Sequence, residues 1–236
     1  MSSLDDPEVV RREYASEAGL QARRAAYRHA DGPNAPEMAF QAVAEVAPGR
    51  VLEVGCGPGE LAERIASEVG ADVKALDISP RMVELALGRG IDAVVGDAQE
   101  LPYPDGSFDC AVAAWMLYHV PDVDRALAEL ARVLREGGRL VAVTNYSDHL
   151  KELRDLIRVS PSISAFRGED AANLLSRHFA RVEVRDAGGT VTFPDREAVV
   201  AFVRNLVIHA DRADRVPQLA GPLVVRRRPV VLVATK

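Results

Sequence analysis

The chain is short of cysteine, of long apolar runs and of positive charge, and each shortage excludes something. Its two cysteines, Cys56 and Cys110, have no metal-ligand spacing and are too few for a disulfide framework. No metal site is expected. No stretch approaches the ~18 apolar residues of a membrane-spanning helix. The opening Met-Ser-Ser-Leu-Asp-Asp-Pro-Glu is polar and acidic, with no signal-peptide core. A soluble cytoplasmic protein without membrane partners is the expectation. Lys and Arg number 29 against 35 Asp and Glu, a formal net charge of −6. A broad nucleic-acid footprint needs a basic face, so no nucleic-acid partner is expected. The one dense basic run, Arg226-Arg227-Arg228, abuts an apolar segment and reads as a solvated hairpin turn rather than a phosphate patch.

What is plentiful is apolar residue, 48% of 236, enough for one α/β domain with insertions. Short apolar runs at Val51–Val54, Val73–Leu76, Ala93–Val95, Phe108–Ala114 and Leu140–Val143 have the character of parallel strands buried on both faces. Helical patterns alternate with them. One begins at Ser79-Pro80, with Ser79 as N-cap. Another runs from about Asp122 to Arg135, with Gly137-Gly138 as its stop. Right-handed crossovers then predict a doubly wound, mostly parallel sheet. Further strands are read at Val182–Val184, Val191–Phe193 and Val230–Ala234. Three stretches have no place in the sheet: 1–46, 145–166 and 194–222. The last carries an amphipathic helix around Val199, Val200, Phe202, Val203 and Leu206.

The most specific feature lies between the first strand and the helix from Leu61. Gly55, Gly57 and Gly59 alternate there, in Glu53-Val-Gly-Cys-Gly-Pro-Gly-Glu60. Glycine permits positive φ and a close ligand approach, and this placement is a nucleotide-binding device of open α/β sheets. A dinucleotide loop would need its third glycine at position 60. Glu60 stands there, an anion where a pyrophosphate would lie. The loop suits a cationic ligand without phosphate, such as S-adenosylmethionine (SAM). Strand ends carry the ligand-binding residues of such sheets. The second strand ends in Asp77-Ile78, 18 positions after Gly59, where an acid can accept from ribose hydroxyls; Met82 follows one helical turn later. The third ends in Gly96-Asp97-Ala98.

The glycine loop resembles motif I of the class I SAM-dependent methyltransferases, with Glu53 as its acid. The stretch Ala113-Ala114-Trp115-Met116-Leu117-Tyr118-His119-Val120-Pro121 is similar to the family's segment beside the methionine end of SAM. Leu130–Gly138 is similar to the family's R-V-L-K-P-G-G, with Arg135-Glu136 in place of Lys-Pro. The likeness is to small-molecule enzymes of the ubiquinone-biosynthesis type and spans roughly 46–144. It implies a seven-stranded Rossmann-like sheet with an antiparallel last strand. One domain, 1–236, would comprise a helical cap (1–46), a SAM-binding core (47–144) and cap insertions (145–166 and 194–222).

The resemblance also implies site roles. Glu53, Gly55, Cys56, Gly57, Gly59, Asp77, Ile78 and Met82 would bind SAM, with Asp97 and Ala98 at adenine and Ala114 near the methionine end. Arg23, in the stretch from Tyr14 to Tyr27, would meet the methionine carboxylate. His119 and Tyr118 are the candidate catalytic groups, His119 having the pKa range of a general base. Tyr146, His149 and His209 are weaker candidates in the cap segments. The expected activity is methyl transfer to O, N or C of a small molecule, with an RNA methyltransferase or a non-catalytic SAM-binding regulator as alternatives. Homodimerisation is left open.

Overall fold

The computed structural model describes residues 27, 30–160, 164–206 and 209–236. Its strands form where apolar residues cluster in short runs: β1 (Arg50–Val54), β2 (Asp72–Asp77), β3 (Asp92–Val95), β4 (Phe108–Ala114) and β5 (Leu134–Asn145). Val51, Leu52 and Val54 are wholly buried, as are Cys110 through Ala113. Each large apolar side chain so covered contributes roughly 1.5–3 kcal/mol. These five strands are parallel. Beyond them, β9 (Pro229–Thr235) runs antiparallel to β5, and β6 (Arg181–Asp186) antiparallel to β9. The seven-stranded order is β3-β2-β1-β4-β5-β9-β6. The strand sequence reverses direction at the β1/β4 pair, the switch point where open α/β sheets bind ligands.

Helices cover the sheet. In α1 (Ala35–Ala44) Ala39, Ala42 and Val43 are fully buried. The α2 segment (Glu60–Arg64) widens into a π turn at Ile65–Val69. Ser79 caps α3 (Pro80–Gly88), its side chain accepting from Met82 N–H, as the Ser-Pro pair predicts. In α4 (Val123–Val133), Asp122 Oδ1 accepts from Arg125 N–H at 3.0 Å, while Ala126, Leu127 and Leu130 are buried beneath it. Such a cap is worth about 1 kcal/mol.

Local reading misplaced several boundaries. The α4 helix ends at Val133, not Arg135, because Leu134 is drawn into a pairing with Phe108 on β4. Gly137, at φ 71°, lies inside the long β5 rather than ending a helix. β3 is an edge strand: Val94 and Val95 are exposed and only Ala93 is buried. Val191–Phe193 leaves the main sheet. It belongs to β7 (Gly189–Phe193), which pairs with β8 (Leu223–Arg227) in a separate antiparallel ribbon.

The basic run is also corrected. Arg226 and Arg227 end strand β8, and Arg227 is only 8% exposed, so the run is not a solvated turn. The ribbon packs with α5 (Lys151–Ile157) and α7 (Arg196–Arg204), which flank α6 (Gly168–Leu175) in sequence, around Leu153, Ile157, Val191, Val199 and Phe202. No helix among the described residues is long and apolar enough to cross a membrane.

Candidate active site

A cavity of about 890 Å³ lies over the carboxyl ends of β1, β2, β4 and β5 and reaches up between them and the α5–α7 cap. Its floor begins at the glycine loop. Gly55 has φ 70°, and an added Cβ would stand 2.5 Å from Met116 Cβ, so the loop closes against the segment after β4. Gly57 has φ 55° and nothing within 4 Å of where its Cβ would be. That bare backbone lies on the cavity wall, an opening a side chain would fill.

Gly59 does a different job from the one expected. It is not on the wall. Its missing Cβ would sit 2.9 Å from Ala86 Cβ, so it lets α2 and α3 approach. Met82 is likewise corrected. It is fully buried in α3 and has no face on the cavity. Its position one turn after Asp77 points it into the core because Ser79 and Pro80 start the helix at once. Arg23 lies outside the described residues.

The other expected positions do meet at the cavity. Glu53 and Cys56 line it from β1 and its loop, Asp77 and Ile78 from β2, and Asp97 and Ala98 from the end of β3. Asp77 is held rigidly: Oδ2 accepts from Gly57 N–H at 2.8 Å and Oδ1 from Ser79 N–H at 2.9 Å. Burial pushes its carboxyl above the usual range, against the pull of those N–H donors. Asp97 is exposed and turns over Gln99, whose backbone N–H it accepts at 2.9 Å.

Ala114, Tyr118 and His119 line the wall from the β4 side. The two rings stand 4.5 Å apart in the short 3-10 turn Leu117–His119. Trp115, at φ 55°, is a bulky residue in the left-handed region, held by its N–H bond to Val143 O at 2.9 Å.

From above, the cap contributes Tyr146, His149 and His209, along with Arg154, which the sequence does not single out, and Arg227, which the sequence reads as part of a solvated turn. Nothing local marks either as a wall residue. Arg154 lies on a short amphipathic helix, and Arg227 is buried only because β8 finds β7 more than thirty residues earlier. His149 Nδ1 accepts from Arg228 N–H at 2.9 Å, which leaves Nε2 as its proton-bearing nitrogen. Burial, with Arg154 and Arg227 nearby, lowers its pKa to about 3.

The thiols yield a direct test. Cys110 pairs in register with Val51, five residues before Cys56, so the two lie at opposite ends of neighbouring strands and both are free. Burial pushes the Cys110 thiol up to about 12, and burial with Glu53 and Asp77 nearby raises Cys56 too. Neither should alkylate readily at pH 8 while the protein is folded, since the thiolate is the reactive form. Cys56, on the cavity wall, should be the first to react. S-adenosylhomocysteine (SAH) should slow Cys56 more than Cys110 in a mass-spectrometric labelling course. Equal protection, or a Cys56–Cys110 disulfide, would contradict the placement.

A model of the methyltransferase domain family matches residues 52–142, the segment from β1 into β5. The 27-O-demethylrifamycin SV methyltransferase of Amycolatopsis mediterranei is 44% identical over 99 residues, 39% of this chain and 36% of that protein. An O-methyltransferase of Aspergillus nomiae is 31% identical over 159 residues, 59% of this chain and 69% of that protein. The crystal structure of a SAM-dependent methyltransferase from Thermotoga maritima superposes with a TM-score of 0.61 at 24% identity, covering 97% of this chain and 99% of that one, a likeness of fold. The chain spans only 36 to 53% of the first few curated relatives it matches. The family match, the similarity across more than two thirds of the A. nomiae enzyme and the seven-stranded sheet agree, and the chain belongs to the class I SAM-dependent methyltransferases.

Proposed function

We propose that this protein transfers a methyl group from SAM to an O, N or C atom of a small-molecule acceptor. The observation that carries the reading is the bare Gly57 backbone, open to a cavity whose wall there bears Glu53, Asp77 and Asp97. That combination suits a cationic nucleoside and repels a pyrophosphate. Glu53, Gly55 and Gly57 would hold the amino-acid end, Asp77 the ribose and Asp97 with Ala98 the adenine. Arg23 is proposed for the methionine carboxylate.

When bound, SAM supplies a methyl group on a sulfonium that needs no further activation. The chain's own task is to align the acceptor in a dry cleft. Tyr118 and His119 hold the acceptor side, and His119 takes the proton when the acceptor atom must lose one. The relatives' names favour small molecules: one is a 27-O-demethylrifamycin SV methyltransferase, and another is a ubiquinone/menaquinone biosynthesis C-methyltransferase.

The test is incubation with methyl-tritiated SAM and a small-molecule extract, after calorimetry has measured SAM binding. Label should appear in low-mass product resistant to nuclease and protease. SAM binding with no transfer, or label confined to RNA, would sink the proposal.

A further inference from the structure

The charges on the cavity wall are segregated. Glu53, Glu60, Asp77 and Asp97 belong to β1, the start of α2, β2 and the turn after β3. On the opposite side, beyond β5 and before β9, stand Arg154 and Arg227. The other wall arginines have carboxylate partners: Arg64 with Glu37 at 2.6 Å and Arg167 with Asp170 at 2.7 Å.

Arg154 and Arg227 differ. Arg154 donates to the backbone carbonyls of His149 and Ser147. Arg227 donates to the carbonyls of Thr190 at 3.2 Å and Asp31 at 2.7 Å. Among the described residues, neither forms an ion pair with a carboxylate. The acids near Arg154 are already committed: Asp155 to Lys151, Glu152 to Arg226 at 2.6 Å and Asp148 to Arg228 at 3.5 Å.

Carbonyls orient a guanidinium without neutralising it. Arg227 is buried and Arg154 half-buried, and a cation so held carries a desolvation cost, in proportion to its burial, that an anion would offset. The carbonyls also use only part of each fork of five N–H donors. Arg154 donates to the His149 carbonyl, and the His149 ring accepts from the N–H of Arg228, next in sequence to Arg227, so the three groups lie together on the wall. Around it the wall is apolar: Leu150, Leu153, Ile157, Phe202 and Leu206.

We infer that the cap half of the cavity recognises an oxyanion: the methyl acceptor is an apolar small molecule bearing a carboxylate or phosphate, held by Arg154 and Arg227 with the His149 ring beside them. This rests on the methyltransferase reading, because the acidic half must take SAM for the basic half to take the acceptor. The two halves then sort two oppositely charged ligands into their own ends of one cleft. The anion fixes the register of the acceptor, and the apolar wall supplies most of the contact area.

The experiment uses the full chain saturated with SAH and three fluorescent probes: naphthalene-2-carboxylate, 2-naphthyl phosphate and the neutral naphthalene-2-carboxamide. At least one anionic probe should bind about tenfold or more tightly than the amide. Which of the two is favoured identifies the oxyanion. In Arg154→Gln, whose amide can still donate to a carbonyl, that preference should collapse towards unity, while Arg154→Lys should retain part of it. The affinity for SAH should stay within about twofold. The wild-type comparison decides the matter even where a variant does not fold. Equal affinity for all three probes overturns the inference, as does no binding of any. A loss in Arg154→Gln that falls on SAH instead would mean the arginine serves the cofactor's carboxylate, and also overturns it. Failure of the wild-type chain to bind SAH would bring down the methyltransferase reading itself and is seen in the first titration.

Discussion

Asp77→Ala is expected to weaken SAH binding by about 100-fold or more. The carboxylate has two duties in this structure. It anchors Gly57 N–H and Ser79 N–H, and it stands on the cavity wall. Hydrogen bonds to a charged group are worth roughly 1.5–3 kcal/mol each, so losing the ligand contact and loosening the loop together exceed ~2.7 kcal/mol. Asp77→Asn keeps one acceptor oxygen and should fall between wild type and alanine. Calorimetry with SAH, beside circular dichroism to establish folding, checks this. A folded alanine variant within threefold of wild type would remove Asp77 from the cofactor site.

The second large effect is on acid stability. The His149 pKa is about 3, against an ordinary value of 6.5 for an unfolded chain. Between those values the unfolded chain binds a proton that the native protein refuses. Stability contributed by the neutral ring is therefore complete above pH 6.5 and lost progressively as pH falls towards 3. From pH 7 to pH 4 the wild type should lose up to about 3 kcal/mol more than His149→Gln, which cannot titrate. Urea unfolding at three pH values reads the difference. Parallel stability curves for the two proteins would mean that the ring is protonated in the native state.

What could be read from residues alone was what depends on near neighbours in sequence. The β1–glycine–α2 unit declares itself because a buried run, three glycines and a helix start fall within fifteen residues. Asp77 and Asp97 follow because the parallel strands place their ends together. The errors share a different cause. Helix α4 was read two residues too long because Phe108, far upstream, claims Leu134. Arg227 looked solvated because charge predicts exposure unless a distant strand covers it, and β7 and the Asp31 carbonyl do. Position alone points Gly59 and Met82 towards the ligand, yet the close approach of Ala86 to Gly59 and the complete burial of Met82 put both to use in packing. The acceptor end was least legible, since it is assembled from residues around 30, 150, 200 and 227 that share no local pattern.

The place of β9 in the sheet bears on how the chain is made. Among the described residues strand β6 pairs only with β9, and β9 lies along β5 from Arg139 to Asn145. During synthesis β6 emerges more than forty residues before its sole neighbour. Until Pro229–Thr235 has left the ribosome, the apolar edge Leu140–Val143 faces outward with its amides unsatisfied, a template for pairing with another nascent chain. The five parallel strands precede β9 in the chain, but the seven-stranded sheet cannot close until β9 is available. Vectorial synthesis therefore leaves the growing chain most exposed to aggregation while the cap is being translated.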